Sequence, residues 1–182
     1  MKLKQFNKVL LLISVFLFST ILTANDDYIF NLKSSTGKSM KVIIDKKGDW
    51  KFEGIKNKVV LLDFFGLWCP PCKKEIPHLN KLREELKKDF EIIGIDIGPR
   101  GGGKTDPKEL DNFVKKFKMK YPVTSAGDND KLYDGVRNLN PNGSIPFMIV
   151  FSKSGQYLKH YIGMQKDHEV FKNEMKYAIK LK

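Results

Sequence analysis

Cysteine is nearly absent: the 182 residues include only 2, and they stand three positions apart at Cys69 and Cys72. A loop that short removes little unfolded-state entropy, so the pair cannot brace a fold of this size; its use is chemical or incidental. Histidine is scarce too. His78, His160 and His168 offer no second Cys or His pair at ligand spacing, which argues against a structural metal. Acidic residues are outnumbered, 21 Asp+Glu against 33 Lys+Arg, for a formal net charge of +12. The basic residues are nevertheless spread along helix faces and loops. A solvated surface is the implication rather than a nucleic-acid interface, with weak attraction to anionic lipid headgroups as a side effect. What is present, 41% hydrophobic residues, suffices for one compact domain and excludes disorder and a collagen repeat.

Long apolar runs are missing except near the start. Lys2, Lys4 and Lys8 precede an apolar stretch from Val9 to Leu22, which ends in Thr23-Ala24 before Asn25-Asp26-Asp27. Positive charge followed by an apolar segment is the order of a secretory signal, and about 14 residues fall short of the ~20 that span a bilayer. Residues 1–24 are thus expected to be a signal peptide cut after Ala24, or an N-terminal membrane anchor. Residues 25–182 are expected to form one exported domain. Without the three leader lysines the charge falls from +12 to about +9.

Tyr28 to Leu32 and Met40 to Ile44 flank Ser34-Ser35-Thr36-Gly37, which predicts a hairpin with Gly37 in the turn. Trp50 and Phe52 lead into a further edge. Val59 to Phe65 is continuously apolar apart from Asp63, as expected of a central strand covered on both faces. Ile76, Leu79, Leu82 and Leu86 recur at helical spacing and predict an amphipathic helix from Pro70 to Phe90, followed by a buried strand over Glu91 to Ile97. Asp106-Pro107 supplies an N-cap and first-turn proline for a helix through Lys118. Phe147 to Phe151 and Tyr157 to Tyr161 read as a closing hairpin, and Asp167 caps a last helix. Strands alternating with helices give an α/β sandwich.

The chemistry falls at Trp68-Cys69-Pro70-Pro71-Cys72, where the first central strand passes into its helix. Cys69 at the helix N-terminus is exposed to unpaired N–H groups and the positive dipole end, which stabilise a thiolate below the ordinary ~8.5 and make it the nucleophile. Cys72, one turn on and on the same face, can resolve a mixed disulfide. Pro70 and Pro71 suit first-turn positions that need no amide donor, and Trp68 shields the pair from one side.

These residues resemble the thioredoxin family, and within it the exported, often membrane-tethered TlpA/ResA type. The resemblance extends from about Asp27 to the C-terminus and is anchored by the run from Lys58 to Pro77, which contains Trp68-Cys69-Pro70-Pro71-Cys72. Pro77 matches the proline that kinks this helix in the family. The resemblance implies a thioredoxin fold: a central mixed sheet flanked by helices, here with an N-terminal β-hairpin extension and a βα insertion. It also implies that Ile145-Pro146, within Ser144-Ile145-Pro146-Phe147, is cis and lines the groove for a partner cysteine, Ile145 pairing its backbone to the partner chain. Asp63, six residues before Cys69, matches the buried acid that takes the proton of the second cysteine; the alternative is an aspartate facing solvent or pairing with Lys58. Glu75 matches a glutamate near the active-site cavity, against the alternative of a solvated helix charge beside Lys73 and Lys74.

A competing motif, Gly98-Pro99-Arg100-Gly101-Gly102-Gly103-Lys104-Thr105, fits the phosphate-loop pattern GxxxxGK[ST]. It is weakened because Asp106-Pro107 starts the helix late and puts a carboxylate where phosphate would sit, and because no later strand ends in an Asp for Mg²⁺. A flexible glycine-rich loop beside the cysteines is the preferred interpretation.

The implied function is an extracytoplasmic thiol-disulfide oxidoreductase acting on exported protein thiols or disulfides, without cofactor or metal. The resemblance favours a reductase, for instance of apocytochrome c before haem attachment, fed by a membrane redox partner. A general oxidase or isomerase of DsbA or DsbC type is the alternative, and a nucleotide-binding protein the outsider.

Overall fold

A computed structural model of the chain describes residues 27–181. The expected leader at 1–24 lies outside the described residues, so the structure bears on the domain alone.

The described chain runs through β1 (Tyr28–Ser34), β2 (Ser39–Ile44), β3 (Trp50–Phe52), β4 (Val59–Phe65), α1 (Pro70–Leu86) and β5 (Phe90–Asp96). It continues with α2 (Pro107–Lys116), β6 (Val123–Gly127), α3 (Asn129–Gly135), a 3₁₀ turn (Arg137–Leu139), β7 (Phe147–Phe151), β8 (Tyr157–Ile162) and α4 (His168–Lys180). The strands form a single mixed sheet in the order β3-β2-β1-β6-β5-β4-β7-β8. Its parallel centre is β6, β5 and β4, and β7 joins β4 antiparallel. The N-terminal hairpin extends this centre by pairing β1 with β6, with Gly37 at φ 80° in its turn.

Every residue of β4 and β5 is buried, as their nearly unbroken apolar runs require of strands covered on both faces. Alternation then divides β4 between two cores. Val59, Leu61 and Phe65 face α1, α2 and α4 in a core that includes Ile76, Leu79, Phe113, Phe171 and Met175. Val60, Leu62 and Phe64 face the other way, toward Leu32, Val42, Phe52, Leu132 and Phe151. On that side the hairpin extension reaches the β7–β8 turn, where the Trp50 amide donates to the Gly155 carbonyl at 2.8 Å. A Cβ on Gly155 would stand 2.0 Å from the Trp50 oxygen, so the contact requires glycine.

Two helix boundaries correct the sequence expectation, and two elements escape it. α1 ends at Leu86 rather than Phe90. Lys87, Lys88 and Asp89 offer no apolar side chain to the core, whereas Phe90 is fully buried as the first residue of β5. α2 ends at Lys116 rather than Lys118. Lys118 adopts φ 51°, and the amides of Lys118 and Met119 donate to Lys115 and Val114, a left-handed stop made without glycine. β6 and α3 carried no sequence signal: in Val123-Thr-Ser-Ala-Gly only Val123 is a sizeable apolar residue, and the buried strand depends on hydrogen bonds closed by the fold. Asn129 provides them, donating to the Thr124 and Asp96 carbonyls at 2.8 and 3.1 Å.

Candidate active site

β4 and β5 run parallel and finish at one edge of the sheet, the position where α/β folds place their sites. Beyond β4 the chain turns through Gly66, whose carbonyl accepts from the Cys69 amide at 2.9 Å, and enters α1. Cys69 is the N-cap, in extended conformation (φ −89°, ψ 107°), with Pro70 and Pro71 in the next two positions. Proline suits these positions because neither amide has a partner within the helix. The first free amide is that of Cys72, which donates to the Cys69 sulfur at 3.2 Å. The nucleophile candidate thus receives the N–H that a serine or aspartate N-cap would accept. Cys69 and Cys72 are joined in a disulfide. Both are almost fully buried, at 1% and 2% exposure, while Pro70 beside them is exposed.

Ile145-Pro146 is cis. Its segment meets the disulfide directly, the Cys69 sulfur lying 3.7 Å from the Ile145 carbonyl oxygen. Asn140, a residue the sequence did not single out, fixes the approach: buried, it donates to the Ser144 carbonyl at 2.8 Å and accepts from the Ser144 amide at 3.2 Å. Trp68 closes another side. Its indole N–H donates to the Gly98 carbonyl at 2.9 Å, and a Cβ on Gly66 would stand 2.9 Å from the ring, so Gly66 makes the space the indole occupies.

Beneath the disulfide two carboxyl groups are buried in the sheet–helix core. Asp63 projects from β4 on the face of Leu61 and Phe65, at 3% exposure; Glu75 comes from α1 at 1%. Both expected alternatives, a solvent-facing aspartate and a solvated glutamate, are therefore displaced, and Lys58 instead donates to the Lys87 carbonyl. Burial, then the neighbouring charge of Glu75, pushes the Asp63 carboxyl up to about 7, against the opposing hydrogen bond from Tyr121. Burial likewise pushes Glu75 up to about 7, opposed by the Gln165 amide. Tyr121 donates to Asp63 Oδ2 at 3.4 Å and Gln165 N–H to Glu75 Oε2 at 2.9 Å. Among the described residues, the remaining oxygens, Asp63 Oδ1 and Glu75 Oε1, have no partner. Neither Tyr121 nor Gln165 was foreseen, since each acts through the tertiary fold. Gly94 makes room for Tyr121, because a Cβ there would stand 3.2 Å from its ring. Each carboxyl therefore exchanges its proton near neutral pH, and ionisation of Glu75 disfavours ionisation of Asp63.

The glycine-rich segment does not become a phosphate cradle. The α2 N-terminus is already capped by Asp106, whose carboxylate accepts from the amides of Lys108 and Glu109 at 2.9 and 3.1 Å. Lys104 donates to the Gly127 carbonyl at 3.2 Å, and the Gly98 amide donates to Asp96 Oδ1 at the same distance. Among the described residues no cluster of three His, Cys, Asp or Glu side chains is placed to hold a metal; His78 and His168 only stack ring on ring.

A cysteine pair at a helix N-terminus, faced by a cis-proline and underlain by buried acid on a mixed α/β sheet, defines a thiol-disulfide site of the thioredoxin class. A Thioredoxin-like family model matches residues 57–157, more than half of the 182, and the chain belongs to that family. It is 34% identical over 128 residues to a thiol-disulfide oxidoreductase ResA of Bacillus cereus, covering 68% of this chain and 66% of that protein. That share is slightly under two thirds of the relative's length. Among solved structures, a thiol:disulfide interchange protein of the thioredoxin family from Chlorobium tepidum TLS superposes with TM-score 0.63 at 22% identity, over 83% of this chain and 93% of the other. StoA from Bacillus subtilis gives 0.56 at 19% identity, over 80% and 95%. These two likenesses show the fold, which agrees with the thioredoxin architecture expected from the sequence.

Proposed function

We propose that this protein is a thiol-disulfide oxidoreductase that exchanges disulfides with partner proteins outside the cytoplasm. The observation that carries this reading is the Cys69 sulfur at the α1 N-cap, receiving the Cys72 amide and lying against the cis Ile145-Pro146 segment. In the reduced protein that position favours the Cys69 thiolate, because the amide and the helix dipole both stabilise negative charge. The thiolate attacks one sulfur of a partner disulfide; a Cys69–partner disulfide forms and the partner's other sulfur leaves as a thiolate. The Cys72 thiol then gives its proton to the Asp63 carboxylate and attacks the Cys69 sulfur, expelling the partner's second sulfur. Two electrons pass to the partner, and the Cys69–Cys72 disulfide of the structure is regenerated.

Asp63 suits the proton step because its free Oδ1 is buried and a carboxyl pushed up to about 7 can accept and return a proton near neutral pH. Glu75 influences that affinity by its charge. Pro146 and Ile145 form the edge along which the partner segment lies, and Trp68, Pro70 and Pro71 frame the sulfurs. The direction we propose is reduction of a selected exported protein, with apocytochrome c as the family example and electrons from a membrane redox partner; the resemblance to the TlpA/ResA type supports it. The lysine-led apolar run before Asn25 supports export or tethering, and no helix among the described residues is long and apolar enough to cross a membrane.

Cys72→Ser leaves the first mixed disulfide unresolved, so partner proteins are expected to accumulate on Cys69 in cells and to be released by dithiothreitol. If none accumulates on that variant while the protein is folded, exchange with proteins is refuted.

A further inference from the structure

The glycine-rich loop between β5 and α2 is tied to the catalytic end of the molecule through one residue. Gly98 has its amide held by Asp96 Oδ1 and its carbonyl bonded to the Trp68 indole. Its φ is +82°, and a Cβ there would stand 2.3 Å from the Gly103 carbonyl oxygen, so the neck of the loop closes only around glycine. This closure places Arg100 over Trp68, the guanidinium carbon 4.6 Å from the ring centre. Trp68 immediately precedes Cys69. A cation is therefore stacked on the side chain next to the reacting sulfur.

The chain has three arginines, and the other two are satisfied: Arg83 pairs with Glu91 and Arg137 with Asp134. Among the described residues no carboxylate pairs with Arg100, which is exposed. Stacking fixes the plane of a guanidinium while leaving the N–H groups at its edge free to donate, the geometry that favours bidentate carboxylate binding. Beside it lies a cleft of about 350 Å³ lined by Leu67, Trp68, Pro99, Arg100, Thr105 and Glu109. The cleft thus carries positive charge at the Trp68 wall and negative charge on α2. A carboxylate entering it is drawn to the wall nearest the sulfurs.

We propose that Arg100 is a specificity-determining residue, selecting partner segments that carry an aspartate or glutamate adjacent to the reacting cysteine. This rests on the exchange reaction proposed above. The partner is an extended acidic cysteine-containing segment lying along Ile145-Pro146, its acidic side chain on the Arg100 edge over Trp68.

The test compares two peptide disulfides identical except for Asp or Lys beside the cysteine, each reacted with the reduced protein and followed by tryptophan fluorescence. A solvent-exposed ion pair is a weak attraction, so a preference of up to about fivefold for the Asp peptide is expected at low salt. It should shrink as salt is added. Arg100→Gln should abolish the preference, and Arg100→Glu should reverse it. Equal rates with the unaltered protein overturn the proposal, as does a preference that persists in Arg100→Gln, because the attraction would then come from another group. Failure to react with either peptide refutes the exchange reaction itself, a result distinct from reaction without charge preference.

Discussion

Replacing Asp63 by asparagine should stabilise the oxidised protein at alkaline pH and reduce the pH dependence of its stability. The Asp63 carboxyl is pushed from 3.8 up to about 7 by burial and by Glu75. At about pH 5 the folded protein holds a proton that the unfolded chain has released, so raising the pH disfavours the fold until the folded-state carboxyl also ionises. The slope is ~1.4 kcal/mol per pH unit per group, so this one carboxyl removes about 3 kcal/mol between about pH 5 and about pH 7, and little more above that. Glu75, pushed from 4.5 to about 7, adds a fall of the same sign. Asparagine is neutral at every pH and nearly isosteric. Asp63→Asn should therefore remove about 3 kcal/mol of the fall and leave the share that Glu75 contributes. Urea unfolding of the oxidised protein at about pH 5 and about pH 8, followed by tryptophan fluorescence, measures both effects. Equal pH dependence in variant and parent, or a variant less stable at about pH 8, would refute the raised affinity of Asp63 for its proton.

Two further predictions concern the frame of the site. Gly98→Ala forces a side chain into φ +82° and against the Gly103 carbonyl at 2.3 Å, so it should cost about 2 kcal/mol or more in urea unfolding and shift Trp68 fluorescence; an unchanged spectrum would contradict the anchoring of Trp68 by this residue. Phe64→Ala removes a fully buried ring packed 5.5 Å from both Phe147 and Tyr133. It should destabilise by about 3–5 kcal/mol, and a loss under about 1 would show that the core on that face closes around the deletion.

The site was legible where local pattern and function coincide. The cysteine spacing, the prolines at the first turn and the Asp106 and Asp167 caps are each dictated by backbone positions that only a few residue types satisfy, and the structure places them as the sequence indicates. Asp63 was conspicuous for the opposite reason, a charge in an otherwise apolar strand. What escaped the sequence depends on contacts between distant segments. Tyr121 reaches Asp63 only because Gly94 leaves a gap across the sheet, and Gln165 supports Glu75 through a backbone amide that any residue would provide. Asn140, braced against Ser144, and the short strand β6 are similar: their meaning lies in hydrogen bonds closed by the fold. The phosphate-loop pattern is the reverse case, a local match that the sequence reading already set aside in favour of a loop: Gly98 closes a tight neck and holds the Trp68 indole rather than a ligand.

The exchange reaction depends on the acidity of Cys69 in the reduced protein. Alkylation by iodoacetamide, titrated against pH with Cys72 replaced by serine, reads that acidity directly. A midpoint well below the ~8.5 of an ordinary cysteine is expected from the N-cap position, and a midpoint at or above that value would contradict it.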